Sequence, residues 1–224
     1  MDSLMAAAAV FLAAVFGGME TVYGYWAWKG IAERFDKVWR SRLFYQSALV
    51  WLALLLGAWY SAAAAGGELK GMVPSVESIP AVRLAALGLT YILLAMVDVR
   101  RRIVPDRVLL CCLAGQLLLA VSSQPVGQWG RCFLQGLFLL VVLLAAAWLL
   151  RGGLGMGDAK LLGVTAMTAG WSYALWLLAA GLMLSFFAGI WLLVFRKKSA
   201  KTEMPFVPFL TAAMAAQLVF LAVG

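Results

Sequence analysis

Residues 132–170 read CFLQGLFLLVVLLAAAWLLRGGLGMGDAKLLGVTAMTAG. The stretch up to position 150 is uncharged and apolar apart from Gln135 and Gly136. Coiled as an α-helix at about 1.5 Å per residue, it is long enough for the ~30 Å hydrocarbon core of a bilayer. Four glycines follow in quick succession (Gly152, Gly153, Gly155 and Gly157), then Asp158, Ala159 and Lys160, and then a second apolar run. A membrane span, a glycine-rich turn and a carboxylate opening the next span make a polytopic helical membrane protein with chemistry at the membrane edge. A charged acid there is costly, and by default it marks a functional site.

Working outward, eight hydrophobic segments are expected, near 4–28, 46–65, 81–97, 107–122, 132–150, 158–170, 172–195 and 205–223. The segment 158–170 is shorter than the ~20 residues of a full crossing and reads as a bent or partial one. Composition agrees: 65% of the 224 residues are hydrophobic and the mean hydropathy is +0.95. A soluble domain cannot hide that much apolar surface, whereas lipid serves a membrane protein as solvent. The Ala-rich stretches fit close helix packing. Met1-Asp2 precedes the first segment without a basic region, so that segment reads as a retained helix rather than a cleavable signal.

The formal charge is +8, and its distribution orients the chain. With the N-terminus outside, the inner loops hold Lys29, Arg34, Lys37, Arg40, Arg42, Arg100, Arg101, Arg102, Arg107, Arg151, Lys160, Arg196, Lys197, Lys198 and Lys201. The outer side keeps Lys70, Arg83 and Arg131. This positive-inside bias supports eight crossings with both termini outside. It also puts two acids, Asp98 and Asp158, on the same inner face. The first inner loop, Lys29 to Tyr45, alternates Ile31, Phe35, Val38 and Trp39 with Glu33, Arg34, Lys37 and Arg40. It is expected to lie on anionic membrane lipids, or else to be a solvated connector. The basic surplus therefore belongs to the membrane, and no nucleic-acid partner is expected.

The chain has no histidine, which removes H-E-x-x-H zinc sites and any nucleophile relying on an imidazole base. Cys111, Cys112 and Cys132 lie in apolar runs without zinc or redox spacing, and read as buried inert thiols. Carboxylates must then carry the chemistry. Asp98 closes the apolar run from Tyr91 to Val97, at a helix end where the macrodipole disfavours an anion. Pairing with Arg101 or Arg102 is the structural alternative. Asp106 follows the helix-breaking Pro105 and is placed to cap the next helix. The glycines ahead of Asp158 permit positive φ, let another backbone approach, and make a helix start that can unwind. A flexible turn with Asp158 as its N-cap is an equal alternative for that motif alone. Two acids at one membrane edge suit aspartyl proteolysis: carboxyls sharing a proton cannot both ionise, so one activates water while the other polarises the scissile carbonyl. No metal or cofactor is required.

Three ordered motifs carry a resemblance over roughly 81–224. They are Asp98 with Ile103-Val-Pro105-Asp106, then Gly152-Gly-Leu-Gly155-Met-Gly157-Asp158-Ala-Lys160-Leu161, then Met204-Pro205-Phe206-Val-Pro208-Phe209-Leu210. Together they resemble the type IV prepilin peptidases, GxGD intramembrane aspartyl proteases. The resemblance implies Asp98 and Asp158 as the catalytic pair. Pro105, Asp106, Gly155, Gly157, Lys160, Pro205 and Pro208 are the supporting motif residues, with the Pro205/Pro208 segment opening the last helix beside the site. It also implies a prepilin or pseudopilin substrate whose short basic leader is cut at the cytoplasmic face of a bacterial inner membrane. Bifunctional members carry two zinc-binding CxxC pairs between the first two helices, associated with N-methylation. Here that loop has no cysteine, so cleavage without methyl transfer is expected. The implied organisation is two N-terminal helices joined by a short basic loop (1–80) and a six-helix peptidase core (81–224).

Two other readings compete. Presenilin-like and signal-peptide-peptidase-like proteases share GxGD but pair it with a Tyr-Asp motif, whereas Val97 precedes Asp98. A small proton-coupled transporter predicts acids near the bilayer midplane and two similar halves, neither of which is evident.

Overall fold

A computed structural model describes residues 3–31, 35–38, 41–64, 81–123, 126–149, 155–196 and 204–223. Every regular element among them is helical: α1 (Ser3–Lys29), the single turn α2 (Phe35–Val38), α3 (Arg42–Ala64), α4 (Ala81–Arg101), α5 (Asp106–Ser123), α6 (Val126–Leu149), α7 (Met156–Ala169), α8 (Trp171–Arg196) and α9 (Val207–Val223). The eight longer helices coincide with the eight hydrophobic segments. Four contain stretches long and apolar enough to cross a membrane: Ala7–Lys29, Val82–Arg101, Trp129–Leu149 and Trp171–Leu192. α7, at 14 residues, is the shortest of the eight. Much of the expected amphipathic loop, including Glu33, Arg34, Trp39 and Arg40, lies outside the described residues, as do the loop at 65–80 and Gly152 and Gly153.

The helices pack in two groups. α1 lies against α3, α4 and α5, and α4 also packs on α9; α7 packs on α6 and α8. Contacts of α5 with α7 and of α8 with α9 join the groups. The core runs through both, with Tyr91, Leu94, Leu161, Leu162, Tyr173 and Leu210 fully enclosed. Small residues bring the second group together. A Cβ at Gly136 of α6 would fall 2.2 Å from the Met167 amide nitrogen of α7, and one at Gly163 of α7 would fall 2.7 Å from the Leu140 Cβ. Backbones that meet this closely gain dispersion where apolar burial offers no advantage over lipid. α7 stops at Gly170, whose φ of 93° suits glycine alone, and α8 begins at the next residue. Outside the core, Phe138, Trp148, Phe186 and Phe187 are largely exposed on α6 and α8. Such apolar faces belong in hydrocarbon.

Candidate functional site

Asp98 sits in the last turn of α4 with 6% of its surface exposed. Its carboxylate oxygen Oδ2 accepts a hydrogen bond from the Val207 N–H at 3.1 Å, and the Phe206 amide acts on the same group. Val207 is the first residue of α9. An anion at the negative end of α4 thus meets the positive end of another helix, and it occupies one of the amide donors that a helix start leaves open. Arg101, a possible partner from sequence, instead donates from Nε to the Trp28 carbonyl at the end of α1, at 3.2 Å. Arg102 adds a favourable charge near Asp98.

Asp158 reaches the same place from the other helix group. It is the third residue of α7 and half-buried, and it interacts electrostatically with Asp98. The N-cap of α7 is Gly155, with no side-chain capping bond, which corrects the alternative of Asp158 as the cap. Gly155 and Gly157 serve space rather than unusual backbone angles. Gly155 has φ −65° and ψ 133°, open to any residue, but a Cβ there would lie 2.6 Å from Asp158 Oδ2. A Cβ at Gly157 would lie 2.9 Å from that of Val104, so this glycine lets α7 start against the segment between α4 and α5.

Asp106 also departs from its expected role. The Pro105 carbonyl accepts the first amides of α5, from Val108 at 3.1 Å and Leu109 at 3.3 Å, so Asp106 is the first helical residue and not the cap. Its carboxylate accepts from Lys160 Nζ at 2.7 Å. That pair ties the start of α5 to the start of α7 just outside the two acids. Pro105 is buried, Pro205 half-buried, and Pro208 is the second residue of α9, where the missing N–H costs no helix bond. The structure therefore gathers Asp98, Asp158, Asp106, Lys160, Gly155, Gly157 and the opening of α9 at one end of the bundle. Cys111 and Cys112 are buried as expected, and Cys132 is only half-buried. Among the described residues no cluster of three or more His, Cys, Asp or Glu could hold a metal.

Several polar groups escaped the sequence reading. Glu20 is buried in α1 and accepts a hydrogen bond from the Thr90 hydroxyl at 2.8 Å. A glutamate inside a long apolar segment is itself the signal that could have found it. Tyr91 is fully buried, with its phenol 2.7 Å from Thr165 Oγ1. Arg83, counted from sequence among the outer basic residues, is buried near the start of α4 and donates to the Thr168 carbonyl, near the end of α7.

Fold and site together define a multi-pass helical membrane protein with a pair of acids where two helix groups meet. Residues 85–195, just under half of the chain, match the model of the type IV leader peptidase family. It is 32% identical over 137 residues to a prepilin leader peptidase/N-methyltransferase of Aeromonas hydrophila, a match covering 58% of this chain and 47% of the relative. A protein of the same name from Aeromonas salmonicida strain A449 is 33% identical over 136 residues, with the same coverage. The match thus spans about half the length of these curated relatives. No solved structure matches the chain.

Proposed function

We propose that the chain is an intramembrane aspartyl endopeptidase that removes the short basic leader of type IV prepilins or type II secretion pseudopilins. The observation that supports this reading is the electrostatic interaction of Asp98 and Asp158, which come from separate helices at one end of the bundle, with neither acid serving as a helix cap for its own helix. Two carboxyls so placed share one proton between them. The ionised member takes a proton from water, whose oxygen attacks the scissile carbonyl carbon. The protonated member donates to the carbonyl oxygen, and the tetrahedral intermediate collapses as the leaving nitrogen takes a proton back. The Val207 amide holds Oδ2 of Asp98 in place. The Asp106–Lys160 pair and the opening of α9 at Pro205 to Pro208 support the acids from outside.

In this reading eight helices cross a bacterial inner membrane with both termini outside, 81–224 forms the peptidase core, and the acids face the cytoplasm beside anionic lipids. The chain contains no CxxC pair, so cleavage proceeds without methyl transfer to the new amino terminus. Co-expression with an epitope-tagged prepilin tests the proposal. The wild-type chain shifts the prepilin to its mature mobility on a gel, and Asp98→Asn and Asp158→Asn each abolish the shift. Full processing by either variant would remove the dyad. Mass measurement of the mature substrate checks methylation, since an added methyl group made by this protein alone would overturn the monofunctional assignment.

A further inference from the structure

α4 and α7 belong to different packed groups, yet each contributes one acid, so something other than broad helix contact must hold those acids level. Tyr91 lies seven residues before Asp98, and Thr165 lies seven after Asp158. Seven residues are close to two helical turns, a rise of about 10 Å that returns nearly to the same face. The phenol of Tyr91 meets Thr165 Oγ1 at 2.7 Å on that lower level. α4 runs toward the acids and α7 runs away from them, so the two seven-residue steps descend together.

Proton counting sets the direction of the bond. The single hydroxyl hydrogen of Thr165 goes to the Leu161 carbonyl of its own helix, at 2.9 Å. Both bonds are made in full only with Tyr91 donating and Thr165 accepting. The backbone of Tyr91 is held as well, because the Thr211 hydroxyl of α9 lies 3.1 Å from the Tyr91 carbonyl and 2.9 Å from that of Val207, sharing its hydrogen between them. Thr211 is one turn beyond Val207, whose amide binds Asp98. One fully buried tyrosine thus joins α4, α7 and α9, the helices that carry Asp98, Asp158 and the Val207 amide. Its ring also lies within electrostatic range of Asp158.

We infer that Tyr91 is a positioning residue whose hydrogen bond to Thr165 sets the register of α4 against α7 and so the separation of the two acids. The inference rests on the proposed role of Asp98 and Asp158. It assigns no chemistry to the phenol: the hydroxyl touches Thr165, and the bond acts through the acids two turns above.

Purified protein in proteoliposomes, assayed for prepilin cleavage across pH, supplies the test. Tyr91→Phe removes one hydroxyl and keeps the ring. It is expected to lower kcat by about 10- to 100-fold with KM within about twofold, the scale of an ångström of misplacement. The pH profile carries the specific signature. Coupling between the acids splits their apparent pKa values, so looser acids bring the two limbs of the bell closer together. Thr165→Val should reproduce both effects, the double variant should be no worse than either single one, and Thr165→Ser should restore activity. A normal rate and an unnarrowed profile in Tyr91→Phe would sink the inference. So would losses that simply add in the double variant, or that only follow the folded fraction seen by thermal unfolding. Asp98→Asn and Asp158→Asn run beside these: inactive acid variants with a normal Tyr91→Phe refute the register role alone, whereas active acid variants refute the dyad itself.

Discussion

A missing methyl group keeps space open beside one of the acids. Gly155 occupies backbone angles that alanine adopts freely, so substitution there carries little backbone penalty. The added Cβ would still stand 2.6 Å from Asp158 Oδ2, inside van der Waals contact, and the movable partner is the carboxylate. Gly155→Ala should therefore leave the thermal unfolding temperature within a few degrees of wild type and cut prepilin processing by roughly 100-fold, as expected for a reacting group displaced by about an ångström. A variant that processes normally would mean that Asp158 works from another rotamer. The motif glycine was visible in sequence, but its reason was not. Sequence suggested backbone freedom; the structure shows a space kept open beside an acid three residues on, which depends on the rotamer that acid adopts.

The start of α9 shows how one helix completes another. Asp98 supplies an acceptor to the Val207 amide, which as the first amide of its helix has no partner within α9. The residue thus combines a structural role with a chemical one, and two substitutions separate them. Asp98→Asn keeps a carbonyl oxygen at the same place, so it should fold normally and be inactive. Asp98→Ala removes the acceptor and leaves a buried amide unsatisfied, at a cost of about 1–3 kcal/mol. Thermal unfolding in detergent micelles should therefore rank wild type and Asp98→Asn together, with Asp98→Ala clearly below, while all processing is lost in both variants. Equal unfolding temperatures for the two would mean that the Val207 bond contributes nothing to the fold. The resemblance put the opening of the last helix beside the site, but not its bond to Asp98. The macrodipole argument correctly marked Asp98 as misplaced on α4, but the compensating helix end lies more than a hundred residues later, and no local pattern links them.

At the scale of the whole molecule, local properties were readable and junctions were not. Hydropathy placed the eight longer helices because the apolar character of a run is a local property, independent of which neighbours it meets. The acids stood out for the same reason, each being a local exception to its surroundings. Glu20–Thr90, Tyr91–Thr165 and Asp106–Lys160 required knowing which helices touch, and no periodicity encodes that. Which end faces the cytoplasm rests on the loop charges, and every step of the proposed chemistry depends on it, because a leader held inside the cell reaches the acids only at an inner face. Positions 37 and 131 test the orientation: Lys37 is exposed at α2, Arg131 is exposed near the start of α6, and α3, α4 and α5 lie between them. In a background with Cys111, Cys112 and Cys132 replaced, Arg131→Cys should react with a membrane-impermeant maleimide added to intact spheroplasts. Lys37→Cys should react only after the membrane is opened. The opposite result would turn the acids away from the cytoplasm. Labelling of both positions from one side would instead mean an even number of crossings between them, and the eight-helix topology would fall with it.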